Sequence, residues 1–244
     1  KDASVKVTVS DKVYTYYPED LTQDEDGCYL ISIRMNAAQM KDSIIIMGMN
    51  NGQIGSVSSY TVREYCDTVL ADDSYSQYHA LVKEMLNYGA MAQIYFDYDT
   101  EYLANDGITG GAAKDVPGAT EDLTVSDQIS NLNFYGASLV YRDRIAVRYY
   151  FTGDVTGCTF TANGNTYTPV AKDGMYYIEI ADILPQDLDQ AITLTVTDAD
   201  GNVLNVAYNP MNYIVRMNEK GSDTLKALVK ALYNYHLAAK ALST

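Results

Sequence analysis

The feature that most constrains the fold is that the chain matches itself. The turn Asp26-Gly27 leads into Tyr29, Ile31 and Ile33, and Asp173-Gly174 leads into Tyr176, Ile178 and Ile180. Both runs have the alternation of a half-buried strand leaving a tight turn. Apolar runs at 44–49 and 192–196 follow as further strand candidates, then a glycine turn, Asn51-Gly52 against Asp200-Gly201. Tyr60 and Tyr65 next stand against Tyr208 and Tyr213 at the start of a helix. The closing helix matches best: Leu81, Val82, Lys83, Asn87, Tyr88 and Ala92 against Leu228, Val229, Lys230, Asn234, Tyr235 and Ala239. One spacing serves this helix and the Asp-Gly strand alike, which makes chance a poor account and a duplicated unit a good one.

The closing helix has a clear period. Leu81, Met85, Tyr88, Ala92 and Tyr95 fall on one face of the first copy, as do Leu225, Leu228, Leu232, Tyr235, Ala239 and Leu242 of the second. Val82, Leu86 and Gly89 widen the stripe in one copy, and Val229 and Tyr233 in the other. A stripe this wide calls for two neighbours, a partner helix and the sheet. Ser222 or Asp223 is placed to cap the second helix after the Gly221 breaker, and Pro210 sits where a first helical turn tolerates it. Further strand candidates at 137–141 and 144–151 precede the second copy, and the first copy has no room for them. The fold class expected is α+β, two copies of an antiparallel β-sheet or sandwich unit, each followed by a C-terminal helical hairpin. Residues 1–104 form the N-terminally short copy, 105–122 a Gly- and Ala-rich linker, and 123–244 the complete copy.

Several function classes are excluded. A net charge of −15 repels a phosphate backbone, and no Lys/Arg cluster overrides it, so neither nucleic acid nor an anionic membrane is an expected partner. No apolar run approaches the roughly 20 residues a membrane helix needs. The start at Lys1, without Met or a signal pattern, suggests a piece of a larger precursor. Cys28, Cys66 and Cys158 have no metal-binding or redox spacing and are expected as small core residues. His79 and His236 are not matched between copies, and no nucleophile elbow, P-loop or dinucleotide fingerprint occurs, which argues against an enzyme. The only acids matched between copies are Asp26/Asp173 and Asp42/Asp189, and the first pair belongs to a turn. The run Asp198-Ala-Asp200-Gly-Asn202 invites a calcium reading, and Asp24-Glu25-Asp26-Gly27 does so more weakly. The first fails the EF-hand template at Val203 and Asn209, so a hairpin turn is preferred. No cofactor and no metal are expected. For the matched polar residues Asn87/Asn234 and Lys83/Lys230, the reading is a helix-to-sheet hydrogen bond and a snorkelling stem.

The stretches SYTVREY at 59–65, LVKEMLNYGA at 81–90, QIYFDY at 93–98 and LAN at 103–105 are specific strings. Through them the chain resembles a module of large cell-surface and secreted proteins of anaerobic Gram-positive gut bacteria, whose pattern runs YSVREY … LVKAMLNYGAAAQ.YF.Y … LAN. FYGASL at 134–139, RYYF at 148–151 and ALYNY at 231–235 resemble the companion half of the same tandem. The resemblance implies an extracellular protein, secreted or attached to the cell wall, that faces host material or dietary glycans. It implies no catalytic set. The partner class it brings is host protein or glycoprotein, immunoglobulin or mucin among them.

What remains for function is the aromatic exterior, drawn from 23 Tyr, 4 Phe and no Trp. With Tyr176, Ile178 and Ile180 inward, Tyr177 points out; with Val147, Tyr149 and Phe151 inward, Arg148 and Tyr150 point out. The first copy adds Tyr14, Tyr16 and Tyr17, followed by an acidic loop with Asp20, Asp24 and Glu25 that the second copy lacks. Tyr and Arg dominate binding hot spots, so these residues are the candidate ligand contacts, although Tyr14 and Tyr16 equally suit the completion of a strand face. Three functions compete: a module binding protein or glycoprotein, a structural spacer, and a carbohydrate-binding module, the last weakened by the absence of Trp.

Overall fold

A computed structural model of the chain describes residues 3–109, 114–118, 123–141 and 144–243. The chain divides into two compact units, Lys1–Thr109 and Gly110–Thr244. The architecture is α+β, with antiparallel sheets followed by helices in both units.

In the first unit the strands are β1 (Ala3–Val9), β2 (Lys12–Tyr16), β3 (Thr22–Gln23), β4 (Tyr29–Leu30), β5 (Ile44–Asn50) and β6 (Gln53–Tyr60). The helices α1 (Val62–Ala71) and α2 (His79–Phe96) follow. Four strands form one sheet in the order β2-β1-β5-β6, while β3 and β4 form a separate two-stranded ribbon. Val7, Val9 and Ile44 are buried on one face of the sheet, under the partly buried Tyr16, Ile31, Ile33 and Met35. A second cluster joins the helices, with Cys66 and Val69 of α1 packed on Val82, Leu86 and Ala90 of α2. Thr61 and Glu64 start α1 with a reciprocal capping box, each side chain accepting the other residue's backbone N–H.

In the second unit the strands are β7 (Leu123–Ser126), β8 (Leu132–Tyr141), β9 (Ile145–Gly153), β10 (Thr159–Ala162), β11 (Asn165–Tyr167), β12 (Val170–Lys172), β13 (Met175–Ile180), β14 (Ile192–Thr197) and β15 (Val203–Tyr208). The helices are α3 (Met211–Lys220) and α4 (Asp223–Leu242). One sheet runs β11-β10-β14-β15-β7 and the other β12-β13-β9-β8. The two face each other through aromatic rings: Phe151 of β9 meets Phe160 of β10 edge-on at 5.6 Å, and Tyr149 meets Tyr208 of β15 at 6.3 Å. The order β2-β1-β5-β6 of the first unit recurs here as β11-β10-β14-β15. The register recurs too, since Ile44 pairs with Tyr60 in one sheet and Ile192 with Tyr208 in the other.

The run after Asp26-Gly27 departs from expectation. Only Tyr29 and Leu30 are strand, both exposed, and Ile31 and Ile33 lean on the sheet as irregular chain. Its counterpart β13 is a full strand because it pairs with β9. Among the described residues the first unit offers no equivalent of β9. A strand without a neighbour leaves its backbone N–H and C=O groups to water, so the run does not stay regular. Cys28 is exposed for the same reason, while Cys158 is half-buried and only Cys66 is a core residue. Burial first, then the charge of Asp67, pushes the Cys66 thiol up to about 11 against the opposing pull of Arg63.

The two acidic runs that invited a calcium reading fold as the same turn. Asp24 Oδ1 accepts from the backbone N–H groups of Asp26 and Cys28 at 3.0 and 2.8 Å, and Asp198 Oδ1 accepts from those of Asp200 and Asn202 at 3.0 and 2.8 Å. Gly27 and Gly201 supply the positive φ of 79° and 83° that closes each turn.

The helix faces follow the predicted period at Tyr88, Ala92, Leu228, Leu232 and Ala239, which are buried, whereas Leu242 at the end of α4 is exposed. The neighbours differ from those expected. α2 packs on α1 and on the 3-10 turn Ala37–Gln39, and α4 on α3 and the 3-10 turn Pro185–Asp187, so each wide stripe is covered by a helix and a tight turn. Gly89 lets α2 approach closely, because a Cβ there would stand 2.7 Å from the Met40 sulfur and 3.0 Å from the Ala37 carbonyl. At the matching position of α4, His236 fills the space and holds the Pro185 carbonyl through Nδ1 at 2.7 Å. α3 and α4 meet across Gly221 and Ser222, whereas the 3-10 segment Asp73–Tyr78 intervenes between α1 and α2.

Candidate functional site

Three of the matched polar residues, Asn87, Asn234 and Lys230, fasten the chain. Asn87 Oδ1 accepts from Asn105 Nδ2 at 3.1 Å, and Asn234 holds the Lys114 backbone from both sides, at 2.9 and 3.3 Å. Asn105 and Lys114, the partners of the two asparagines, belong to irregular chain and not to the sheet that was expected. Lys230 reaches Asp115 at 2.8 Å. Arg63 in turn holds the carbonyls of Ala104 and Asp106 at 2.7 and 2.9 Å. The expected 105–122 linker is therefore held at Asn105 and Asp106 and again at Lys114 and Asp115, and its residues 110–113 and 119–122 lie outside those described. The matched acids tie each turn to its closing helix. Asp42 accepts from the Tyr98 hydroxyl at 2.6 Å just beyond α2, and Asp189 pairs with Lys240 near the end of α4.

In the first unit the candidate contacts divide. Tyr14 is exposed on β2, opposite Val7. Tyr16 is half-buried and packs against the Val7, Val9 and Ile44 cluster, so it completes the sheet's apolar cover. Tyr17 is half-buried and opens the 3-10 turn Pro18–Asp20 by accepting the Asp20 N–H at 2.9 Å. The Asp24 carboxylate is engaged by its own turn, while Asp20 and Glu25 are exposed.

The second unit brings its candidates together on one sheet. β9 alternates as predicted: Val147, Tyr149 and Phe151 are buried, and Arg148 and Tyr150 lie on the other face. β13 sets Tyr177 opposite Tyr150 and Glu179 opposite Arg148. Arg148 Nε donates to Glu179 at 2.7 Å, and its guanidinium lies 4.4 Å from the centre of the Tyr177 ring. Burial works against its charge, but the hydrogen bond and charge of Glu179 outweigh that and hold its pKa above the ordinary value. Arg144 adds a second bond to Glu179 at 3.3 Å. The arginine is thereby a strut that fixes the two tyrosines, whose rings are 6.2 Å apart.

Sequence reasoning missed the most exposed aromatic of this face. Pairing of β8 with β9 skips a residue between Phe134 and Gly136, so Tyr135 bulges out and is 70% exposed. A two-residue period read along β8 does not reveal an inserted residue. Tyr135, Tyr150, Lys172, Asp173 and Met175 line an open depression of about 310 Å3. Rings with polar edges, a fixed cation and a nearby lysine and aspartate suit contact with a polar macromolecular surface. Among the described residues no group of three His, Cys, Asp or Glu is placed to hold a metal ion, and no helix is long and apolar enough to cross a membrane. No family model, curated protein or solved structure matches the chain.

Proposed function

We propose that the chain is a non-catalytic binding module of an extracellular bacterial surface protein, contacting a host protein or glycoprotein of the immunoglobulin or mucin class. The observation that carries the reading is the face formed by Tyr135, Tyr150 and Tyr177, with Arg148 braced by Glu179 beneath it. Side chains held in place before binding lose little entropy on contact, and tyrosine offers large contact area with a polar tip. The resemblance of the 59–105 strings to modules of secreted and wall-attached proteins supports the location. In this reading the two units are copies of one plan, a sheet followed by a helical hairpin, and the recurring strand order and register support that descent. Folding explains what the copies share, so the contact face belongs to what only one copy has, the β8–β9 surface or the Tyr14–Glu25 region.

The test is surface plasmon resonance of the full chain against immobilised immunoglobulin and mucin, alongside a glycan array. The double variant Tyr150→Ala, Tyr177→Ala is run with it, its melting temperature measured in parallel. Loss of a protein or mucin signal by tenfold or more in the folded variant supports the reading. Signal on free glycans alone moves the protein to a carbohydrate-binding module, silence on every surface favours a spacer, and an unchanged affinity removes this face from the site.

A further inference from the structure

The first unit contains an open apolar groove whose counterpart in the second unit is filled. Ile31, Ile33, Ile44, Tyr60, Val62 and Tyr65 line a space of about 420 Å3, with Tyr60 46% and Tyr65 67% exposed. Ile44 and Tyr60 pair as Ile192 and Tyr208 do, and Ile31 and Ile33 follow their Asp-Gly turn as Ile178 and Ile180 follow theirs. In the second unit Tyr208 is only 6% exposed and Ile178 is fully buried. What covers them is the β8–β9 pair. Tyr149 lies edge-on to Tyr208, donates its hydroxyl to the Ile192 carbonyl at 2.7 Å, and stands opposite Ile178 in the ladder. Tyr141 lies edge-on to Tyr213, the counterpart of Tyr65, at 5.8 Å.

We propose that this groove is a docking site for an extended segment of a partner polypeptide, which pairs alongside residues 31–33 and seats a tyrosine ring against Tyr60 as Tyr149 seats against Tyr208. The segment carries apolar residues at alternate positions, because the groove lining is apolar, and basic residues beside them. Basic residues suit the run that leads into Ile31, which carries Glu19, Asp20, Asp24, Glu25 and Asp26 with no Lys or Arg among residues 18–28, while Arg34 follows Ile33 directly. β9 with the residue before it has this composition, Arg144 preceding the apolar alternation and Arg148 standing within it. The same acidity argues against a second copy as occupant, since each copy carries −15. Strand addition of this kind draws affinity from backbone pairing and specificity from the alternate side chains. The site lies on a different unit from the Tyr135 face and stands or falls independently of the function proposed above.

The experiment titrates the full chain with a labelled peptide of the sequence of residues 144–153, Arg-Ile-Ala-Val-Arg-Tyr-Tyr-Phe-Thr-Gly, and with the same peptide carrying alanine in place of Tyr149. Amide exchange across residues 29–35 is followed at each step. The expected result is saturable binding that slows exchange there, weakened tenfold or more by the alanine peptide and by the variant Tyr60→Ala, Tyr65→Ala, whose exposed side chains leave the fold intact. Binding indifferent to these changes, protection confined to the second unit, or no binding up to millimolar peptide overturns the proposal. Sedimentation of the chain alone closes the remaining alternative: self-association abolished by Tyr60→Ala, Tyr65→Ala would make the groove an interface between copies and overturn the partner reading.

Discussion

Tyr149 is the side chain on which the second unit's two sheets most directly depend, and its ring and hydroxyl can be tested apart. The ring is fully buried, tilted against Phe134 at 6.5 Å and edge-on to Tyr208 at 6.3 Å. The hydroxyl donates to the Ile192 carbonyl of the opposite sheet at 2.7 Å. Tyr149→Phe keeps the ring and removes one buried hydrogen bond, leaving a carbonyl acceptor short of a partner, at a cost of about 1–3 kcal/mol. Tyr149→Ala removes the ring as well and leaves a cavity between the sheets, at about 3–5 kcal/mol or more. For a unit of this size each kcal/mol lowers the melting temperature by about 3–5 °C, so the two variants fall roughly 3–15 °C and 10–25 °C below the parent. Differential scanning calorimetry is the assay, because two units can melt separately and only the transition of the second should move. Equal losses for Phe and Ala would show that the hydroxyl carries the contact. A loss under 1 °C for Ala would refute the burial of the ring and with it the facing of the sheets.

Three further outcomes follow from the packing. Tyr88→Ala should cost about 3–5 kcal/mol by chemical denaturation, and Tyr235→Ala less, since Tyr88 is buried and Tyr235 only half-buried; the reverse order would mean the helix faces are misassigned. Gly89→Ala should destabilise the first unit by about 1–3 kcal/mol, because its methyl meets the Met40 sulfur and the Ala37 carbonyl; a raised melting temperature would contradict that contact. For Asp189, burial pushes the carboxyl up, but Lys240, Gln190 and His236 outweigh it and hold the pKa below the ordinary value. Its contribution to stability is therefore complete above the ordinary carboxylate range and lost as pH falls through the depressed folded value. Melting curves taken from about pH 5 to pH 2 should show a steeper fall for the parent than for Asp189→Asn, and parallel curves would sink the assignment.

What could be read from the residues was what both units need for local reasons. The helical stripes of α2 and α4, the cap at Ser222 and the alternation of β9 and β13 each depend on a side chain and its near neighbours, so a period of 3.6 or 2 reports them. The run at 29–33 carries the same pattern and became strand only at Tyr29 and Leu30, because regular pairing depends on a neighbour that residue pattern does not contain. Tyr135 was hidden by a bulge, and the role of Asn87 and Asn234 by the fact that their partners are backbone and amide groups far along the chain. Of the contact candidates, alternation alone turned Arg148, Tyr150 and Tyr177 outward, and the pairing of β9 with β13 is what sets them on one face. Alternation did not show that Arg148 is already occupied by Glu179, because that pairing is set by strand register.

The three thiols stand at three depths, Cys28 exposed, Cys158 half-buried and Cys66 enclosed between α1 and α2. Alkylation proceeds through the thiolate and needs access, so reagent uptake at Cys66 waits for the helices to part and for a proton the site retains until about pH 11. Counting adducts by mass over time therefore separates surface chemistry at Cys28 from opening of the first unit's helical core at Cys66. The chain carries its own clock for the parting of α1 and α2, with no label to be engineered in.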